Sequence, residues 1–270
     1  MTALPLPRHQ RARGIGRIGT KCLDGRTRLA TLYQEGCAKI RLPHTHDADL
    51  QAVLINTAGG LTGGDEVSWQ VDAAPGARLV LTTQACERVY RSLDDDARVR
   101  TDIRVGAGAR LDWLPQETIL FEGARLDRRL EVDLAPDASL LAIEAILLGR
   151  EAMGEAARHA VLRDDWRIRR DGRLLHAEAT RLGGADLERD GLSLLAGASA
   201  FATLLYVGSD AERMLERARP LLTGQSGASL VGERLVVRAL APSGLALRRI
   251  ITPIITRLSG AGTLPRLWTS

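Results

Sequence analysis

Three stretches of the chain read as copies of one unit. They are Gly76-Ala-Arg-Leu-Val-Leu-Thr-Thr-Gln84, Gly108-Ala-Arg-Leu-Asp-Trp-Leu-Pro-Gln116 and Asp137-Ala-Ser-Leu-Leu-Ala-Ile-Glu-Ala145, offset by 32 and then 29 residues. Each follows a strand pattern and a tight turn, and each supplies another β-rich run. A strand–turn–strand unit recurring near 30 residues predicts stacked rungs of sheet, in the manner of a solenoid or a layered sandwich. A plain β-meander is the alternative.

The flanking sequence agrees. Residues 98–105, 129–134 and 165–170 alternate apolar and polar side chains at period two, while 51–55 and 79–83 are apolar like buried strands. Turn signals fall at 58–64, 75–76, 106–108, 136–137, 171–172 and 183–184. Helix signals gather toward the C-terminus. Ser209-Asp-Ala-Glu212 has capping-box spacing ahead of Met214, Leu215 and Ala218. Ile250, Ile251, Ile254, Ile255 and Leu258 form a helical stripe, and Pro253 within it predicts a kink or a late start. The stripe reads as core, with a partner surface as the alternative. The reading is one mainly β domain over residues 1–270, carrying two or three α-helices and no clear linker.

Composition narrows the function. The 270 residues are 45% hydrophobic and 26% charged, an ordinary globular balance. No apolar run approaches the ~18 residues of a membrane span, and the N-terminal stretch has no apolar core of a secretory signal. A cytoplasmic protein without membrane contact is expected. Nine aromatic residues are too few for base-stacking platforms, so no nucleic-acid partner is expected. Of 37 basic residues only Lys21 and Lys39 are lysine. Residues 1–50 and 201–270 each carry 9 basic and 4 acidic side chains, leaving the middle net acidic. Cys22, Cys37 and Cys86 form neither a disulfide framework nor a zinc ribbon, and they read as buried thiols.

Several motifs invite chemistry. Gly59-Gly60-Leu-Thr-Gly63-Gly64-Asp65 lacks the Lys-Ser/Thr end of a phosphate loop, and a strand pattern rather than a helix follows it. It reads as a turn needing positive φ at several positions. That leaves Asn56, the only asparagine, and Asp65 unexplained. His44-Thr-His46 has the spacing of some metal hydrolases, with only His9, His159 and His176 left to complete a site. A metal-dependent hydrolase on a β scaffold using His44 and His46 is therefore the alternative function, against a solvated turn. Gly224-Gln-Ser226-Gly227 is one residue short of a nucleophile elbow. The carboxylates Glu117, Glu144, Glu155 and Glu178 remain. Glu144, inside Leu-Leu-Ala-Ile-Glu-Ala-Ile-Leu-Leu, must be paired, protonated, facing an internal channel or on an open face. A salt bridge to an arginine is the plain reading.

Five ordered blocks give the chain a resemblance. They are Asn56 to Asp65; Pro75-Gly-Ala with Thr82-Thr-Gln-Ala and Val89-Tyr-Arg-Ser92; Trp113-Leu-Pro-Gln-Glu-Thr-Ile-Leu-Phe121; Leu148-Gly-Arg with Gly154-Glu155; and Leu235-Val-Val-Arg-Ala-Leu240 with Pro265-Arg-Leu-Trp268. In this order, over nearly the whole chain, they resemble the UreD (UreH) family of urease accessory proteins. Arg88 stands where that family often has lysine, and Cys86 and Glu87 where it is often small or polar.

The resemblance implies a mostly β fold of stacked, helically wound β-sheets, solenoid-like layers with a few helices. It implies a non-catalytic subunit that joins UreF and the GTPase UreG and docks with them on apo-urease. GTP hydrolysis on UreG would then drive nickel delivery, with no tightly bound cofactor on this chain and nickel only in transit along an internal path. By motif match, Asp65, Glu144 and Glu178 are the acidic positions implied for that path. Scattered carboxylates suit a borderline cation that must also leave.

Overall fold

The computed structural model describes residues 10–43, 48–183, 191, 194–261 and 264–268. In chain order the strands are β1 (Arg13–Leu23), β2 (Arg26–Gly36), β3 (Ala38–Arg41), β4 (Leu50–Asn56), β5 (Glu66–Ala73), β6 (Arg78–Thr83), β7 (Glu87–Val89), β8 (Ala97–Val105) and β9 (Arg110–Leu114). They continue as β10 (Thr118–Leu120), β11 (Arg125–Leu134), β12 (Ser139–Leu148), β13 (Val161–Arg170), β14 (Arg173–Leu182), β15 (Ala200–Val207), β16 (Gln225–Val231) and β17 (Arg234–Ala241). Two α-helices, α1 (Ala211–Ala218) and α2 (Gly244–Leu258), lie toward the C-terminus. The expected mainly β fold with stacked layers is what the chain forms.

The first sheet runs β14-β13-β11-β8-β5-β1-β2, and the second runs β16-β17-β15-β12-β9-β6-β4-β3. The chain winds between them, from β5 to β6, from β8 to β9 and from β11 to β12, stacking each rung in parallel on the last. Arg78 faces Arg110, and Arg110 faces Ser139. The offsets of 32 and 29 residues in the sequence repeat are therefore the register itself. The corners repeat too. Gly76 N–H donates to the Ala107 carbonyl and Gly106 N–H to that of Ala73, both at 2.8 Å. Ala77, Ala109 and Ala138, one per corner, are buried.

A third, short ladder completes the coil. β7 and β10 pair in parallel, β10 lies along the end of β12, and Leu61 bridges to Val89. Hairpins flank the stack. Asp24-Gly25 and Asp171-Gly172 have two consecutive positive φ angles, 50° and 69°, then 49° and 72°, as type I′ turns require.

Burial explains the strand patterns. One apolar cluster fills the space between the sheets, and a second fills the space between the second sheet and the helices. In β12, Leu140, Ala142, Ile146 and Leu148 face the first cluster, while Leu141, Ile143 and Ala145 face the second. A strand covered on both faces reads as a continuous apolar run. The first sheet leaves its outer face to charge, with Arg98–Glu66 at 3.1 Å, Arg100–Asp127 at 2.9 Å and Arg181–Asp165 at 2.7 Å.

Local expectations need correction at three points. Helix α1 begins after Asp210, not Ser209, and no side chain caps it. The Asp210 carboxylate instead accepts from the Tyr206 hydroxyl and, at 2.6 Å, from Arg213. Helix α2 does not start late: it begins at Gly244, with the Ser243 hydroxyl accepting from Ala246 N–H at 3.1 Å. Ile251, Ile254, Ile255 and Leu258 are buried in the second cluster, which settles that stripe as core. The thiols are not buried: Cys22 is exposed, and Cys37 and Cys86 are half-buried.

The alanine column leaves no room for a larger side chain. Ala109→Leu should lower stability by about 1–3 kcal/mol, read as a reduced urea midpoint with an unchanged slope.

Candidate functional site

The glycine loop is a structural device. Gly59, Gly60 and Gly64 have φ of 78°, 143° and 84°, as expected of a turn built from glycines. A Cβ on Gly60 would stand 2.4 Å from the Tyr90 ring. Asp65, buried at the end of the loop, accepts from Ala12 N–H at 2.7 Å and Thr62 N–H at 2.8 Å, one bond on each carboxylate oxygen. Asn56 accepts from Ala58 N–H at 3.0 Å and donates to both oxygens of Glu87 at 3.2 Å. Burial pushes the Glu87 carboxyl up to about 7, against the pull of the Asn56 hydrogen bond.

Four of the five sequence blocks that carry the resemblance meet on the short third ladder, while the fifth lies on β17 and at the C-terminal end. Leu61 N–H donates to Arg88 O and Tyr90 N–H to Leu61 O, both at 2.7 Å. Phe121 N–H donates to Val89 O at 3.0 Å, and Gly149 N–H to Leu120 O at 2.8 Å. Tyr90 packs edge-on against Phe121, and Arg150 lies over the Phe121 ring. Glu155 accepts from Arg150, and at 3.1 Å from Glu122 N–H.

Glu144 occupies the space between the sheets. Its Oε2 accepts from Arg128 Nη1 at 2.5 Å, and its Oε1 accepts from Trp113 Nε1 at 3.0 Å. Arg128 also grips Asp164 with two bonds, Nε at 3.1 Å and Nη2 at 2.7 Å, and reaches Thr118 at 3.2 Å. All three charged side chains are no more than 8% exposed. Two carboxylates thus share one guanidinium. Burial and the Asp164 charge hold the Glu144 carboxyl above the usual carboxylate range, although Arg128 and Trp113 pull it down.

Glu178, on β14, faces the same space. It accepts from Arg238 Nη2 at 2.7 Å, and His176 Nε2 lies 3.8 Å away without a hydrogen bond. Burial keeps His176 below the usual imidazole range. Glu144, Thr203 and Arg238 face one another across β12, β15 and β17, and Arg238 Nη1 donates to Thr203 Oγ1 at 3.4 Å. A polar row therefore links Glu144 to Glu178 through Thr203 and Arg238. Asp65 belongs to the loop and to neither group.

A further cluster ties α2 to the sheet. Arg248 donates to Glu117 through Nε and Nη2, both at 2.9 Å, and also to Gln116. Burial pushes Glu117 up, but these bonds outweigh it and hold the carboxyl below its ordinary value. Cys86 donates to Glu117 at 3.4 Å, and burial, then that carboxylate, raise the thiol to about 11. Among the described residues, no three His, Cys, Asp or Glu side chains group as a metal would require. His44 and His46 lie outside the described residues.

In the sequence the acids Glu117, Glu144 and Glu178 stand out but their partners do not. A signal was present: Arg128 and Asp164 fall at the apolar parity of β11 and β13, where Leu126, Leu130, Leu162 and Trp166 face the core.

Over residues 12–269 the chain matches the family model described as UreD urease accessory protein. It is 63% identical to a urease accessory protein UreD of Chelativorans sp. (strain BNC1), across 98% of this chain and 96% of that protein. It is 56% identical to a protein of the same name from Rhizobium rhizogenes, across 97% and 96%. One from Agrobacterium fabrum is 52% identical, across 97% and 92%.

Two outcomes follow from these carboxylates. Arg128→Ala leaves Glu144 and Asp164 without a cation and should cost about 3–5 kcal/mol, measured by urea unfolding; Glu144→Gln should cost less. A raised carboxyl pKa means that the folded state holds its proton more tightly than the unfolded chain does. For Glu87 the stabilisation is full below pH 4.5 and is lost as pH rises through about 7. Glu87→Gln should therefore flatten the melting temperature across that window.

Proposed function

The chain belongs to the UreD family of urease accessory proteins, and from that premise we propose that it is a non-catalytic maturation factor. In this reading it works in the cytoplasm with UreF and the GTPase UreG, which together with it prepare apo-urease to receive nickel. The observation that carries the reading is the match of nearly the entire chain, residues 12–269, to one family.

Nickel is cargo here. Between the sheets, Glu144 and Glu178 are the acidic groups we assign to its passage, joined by the polar row through Thr203 and Arg238. Asp65, whose two oxygens already accept backbone N–H groups, would meet an ion only through its remaining lone pairs. What supports this assignment is the donor chemistry. Carboxylates, unlike thiolate or multi-histidine sets, bind such a cation weakly enough for it to move on.

The reading is tested in cells that hold the urease subunits and the other accessory proteins but lack this chain, with nickel supplied. Urease should accumulate without metal and without activity. Full activation in its absence would sink the proposal. Glu178→Gln should preserve assembly of the maturation complex while lowering the nickel content of urease severalfold, with Glu178→Asp milder. Unchanged nickel in both variants would remove Glu178 from the path.

A further inference from the structure

Four strands end the two sheet orders: β14 and β2 in the first, β16 and β3 in the second. Three carry charges that discourage pairing with another chain. β2 has Arg26, Arg28 and Glu35, β14 has Arg173 and Arg181, and β3 has Lys39 and Arg41. The fourth, β16, reads Gln-Ser-Gly-Ala-Ser-Leu-Val and has neither charge nor proline. Among the described residues it pairs only with β17. Gln225, Gly227, Ser229 and Val231 are exposed, and a Cβ built on Gly227 would meet nothing within 4 Å. Glycine at the centre of an edge lets a second backbone come close.

A groove of about 450 Å³ lies between this edge and α1, lined by Glu212, Leu215, Glu216, Arg219, Ala228 and Leu230 among others. Glu212 and Glu216 stand one helical turn apart, and neither enters an ion pair among the described residues. We propose that β16 is a docking edge for an extended segment of a partner protein, which adds to the sheet as a further strand. On the side facing α1 that segment carries an apolar residue over Leu215, Ala228 and Leu230, and a Lys or Arg within reach of Glu212 and Glu216. Backbone hydrogen bonds supply affinity, and the groove selects the side chains. This assignment rests on the edge and its groove, independently of the family reading.

The test uses the full chain and a labelled heptapeptide, Thr-Arg-Thr-Val-Thr-Arg-Thr, which presents the same pattern in either strand direction. Fluorescence anisotropy should show saturable binding, and hydrogen exchange should slow at residues 225–231. N-methylation of alternate peptide amides should weaken binding by about tenfold or more, as should replacing both arginines of the peptide by glutamate. Ser229→Lys, which gives this edge the protection that the others have, should do the same, as should the pair Glu212→Lys and Glu216→Lys. Absence of saturation into the millimolar range would overturn the proposal. So would equal binding of the N-methylated peptide. Self-association of the chain through β16, seen by sedimentation and not competed by the peptide, would assign the edge to a second copy instead and overturn it as well.

Discussion

Everything in this molecule depends on the parallel pairing of β6, β9 and β12. Their register fixes how far the chain travels per turn, and so where each strand of the first sheet, each corner and each step of the third ladder must fall. The second sheet is covered on both faces, by the first sheet and by the helices. A slip of one residue in β12 would exchange its two faces. Glu144 would then enter the apolar cluster with Ile251, Ile254 and Ile255, away from Arg128 and Trp113. The cost of a carboxylate stranded there makes the polar residue a guard of the register as well as a member of the core.

Arg128 extends that logic across the layers. From β11 in the first sheet it reaches Glu144 in the second, Asp164 on the neighbouring strand and Thr118 on β10. Its guanidinium has five N–H donors in a rigid fork, and four of its bonds are accounted for by these three partners. Such a network adds little net stability over apolar packing, because three charges have left water. It specifies instead. Only one stacking of the two sheets brings β9, β10, β11, β12 and β13 together so that every one of these groups finds its partner.

The repeat made the coil legible, since parallel in-register strands leave their offset in the sequence whenever equivalent positions face equivalent neighbours. The glycine loop was legible because positive φ restricts the residue type. Local signals failed where other contacts competed with the expected one. The Asp210 carboxylate, one residue after the expected cap, is taken by Tyr206 and Arg213, so no side chain caps α1. Pro253 does not stop α2, because the helix is already anchored from Gly244 and packed along Leu247 and Ile251. Of the site, the acids were readable and their arginines were not: Arg128, Arg238 and Arg248 lie 16, 60 and 131 residues from the carboxylates they hold. Distance along the chain hides such pairs, whereas strand parity at least marks Arg128 as facing inward.

The three arginine clamps differ in how readily they let go. Arg128 is 8% exposed and is gripped by a second carboxylate, so releasing Glu144 would strand its own charge in the core. Arg248 is 25% exposed, holds Glu117 by two bonds and lies over Trp268. Arg238 is 59% exposed and makes a single bond to Glu178. Its guanidinium is free to turn into water, but doing so leaves the buried Glu178 carboxylate without a cation, so the exchange is cheap only when another cation takes its place. Glu178 itself stays buried beside a histidine whose Nε2 has no hydrogen bond. A neutral imidazole and a carboxylate that can exchange its cation are the groups a divalent metal competes for most easily. On the path proposed above, Glu178 is the carboxylate whose arginine can give way to a passing cation, whereas Glu144, with its carboxyl raised by burial and its Oε2 bound to Arg128, keeps its partner.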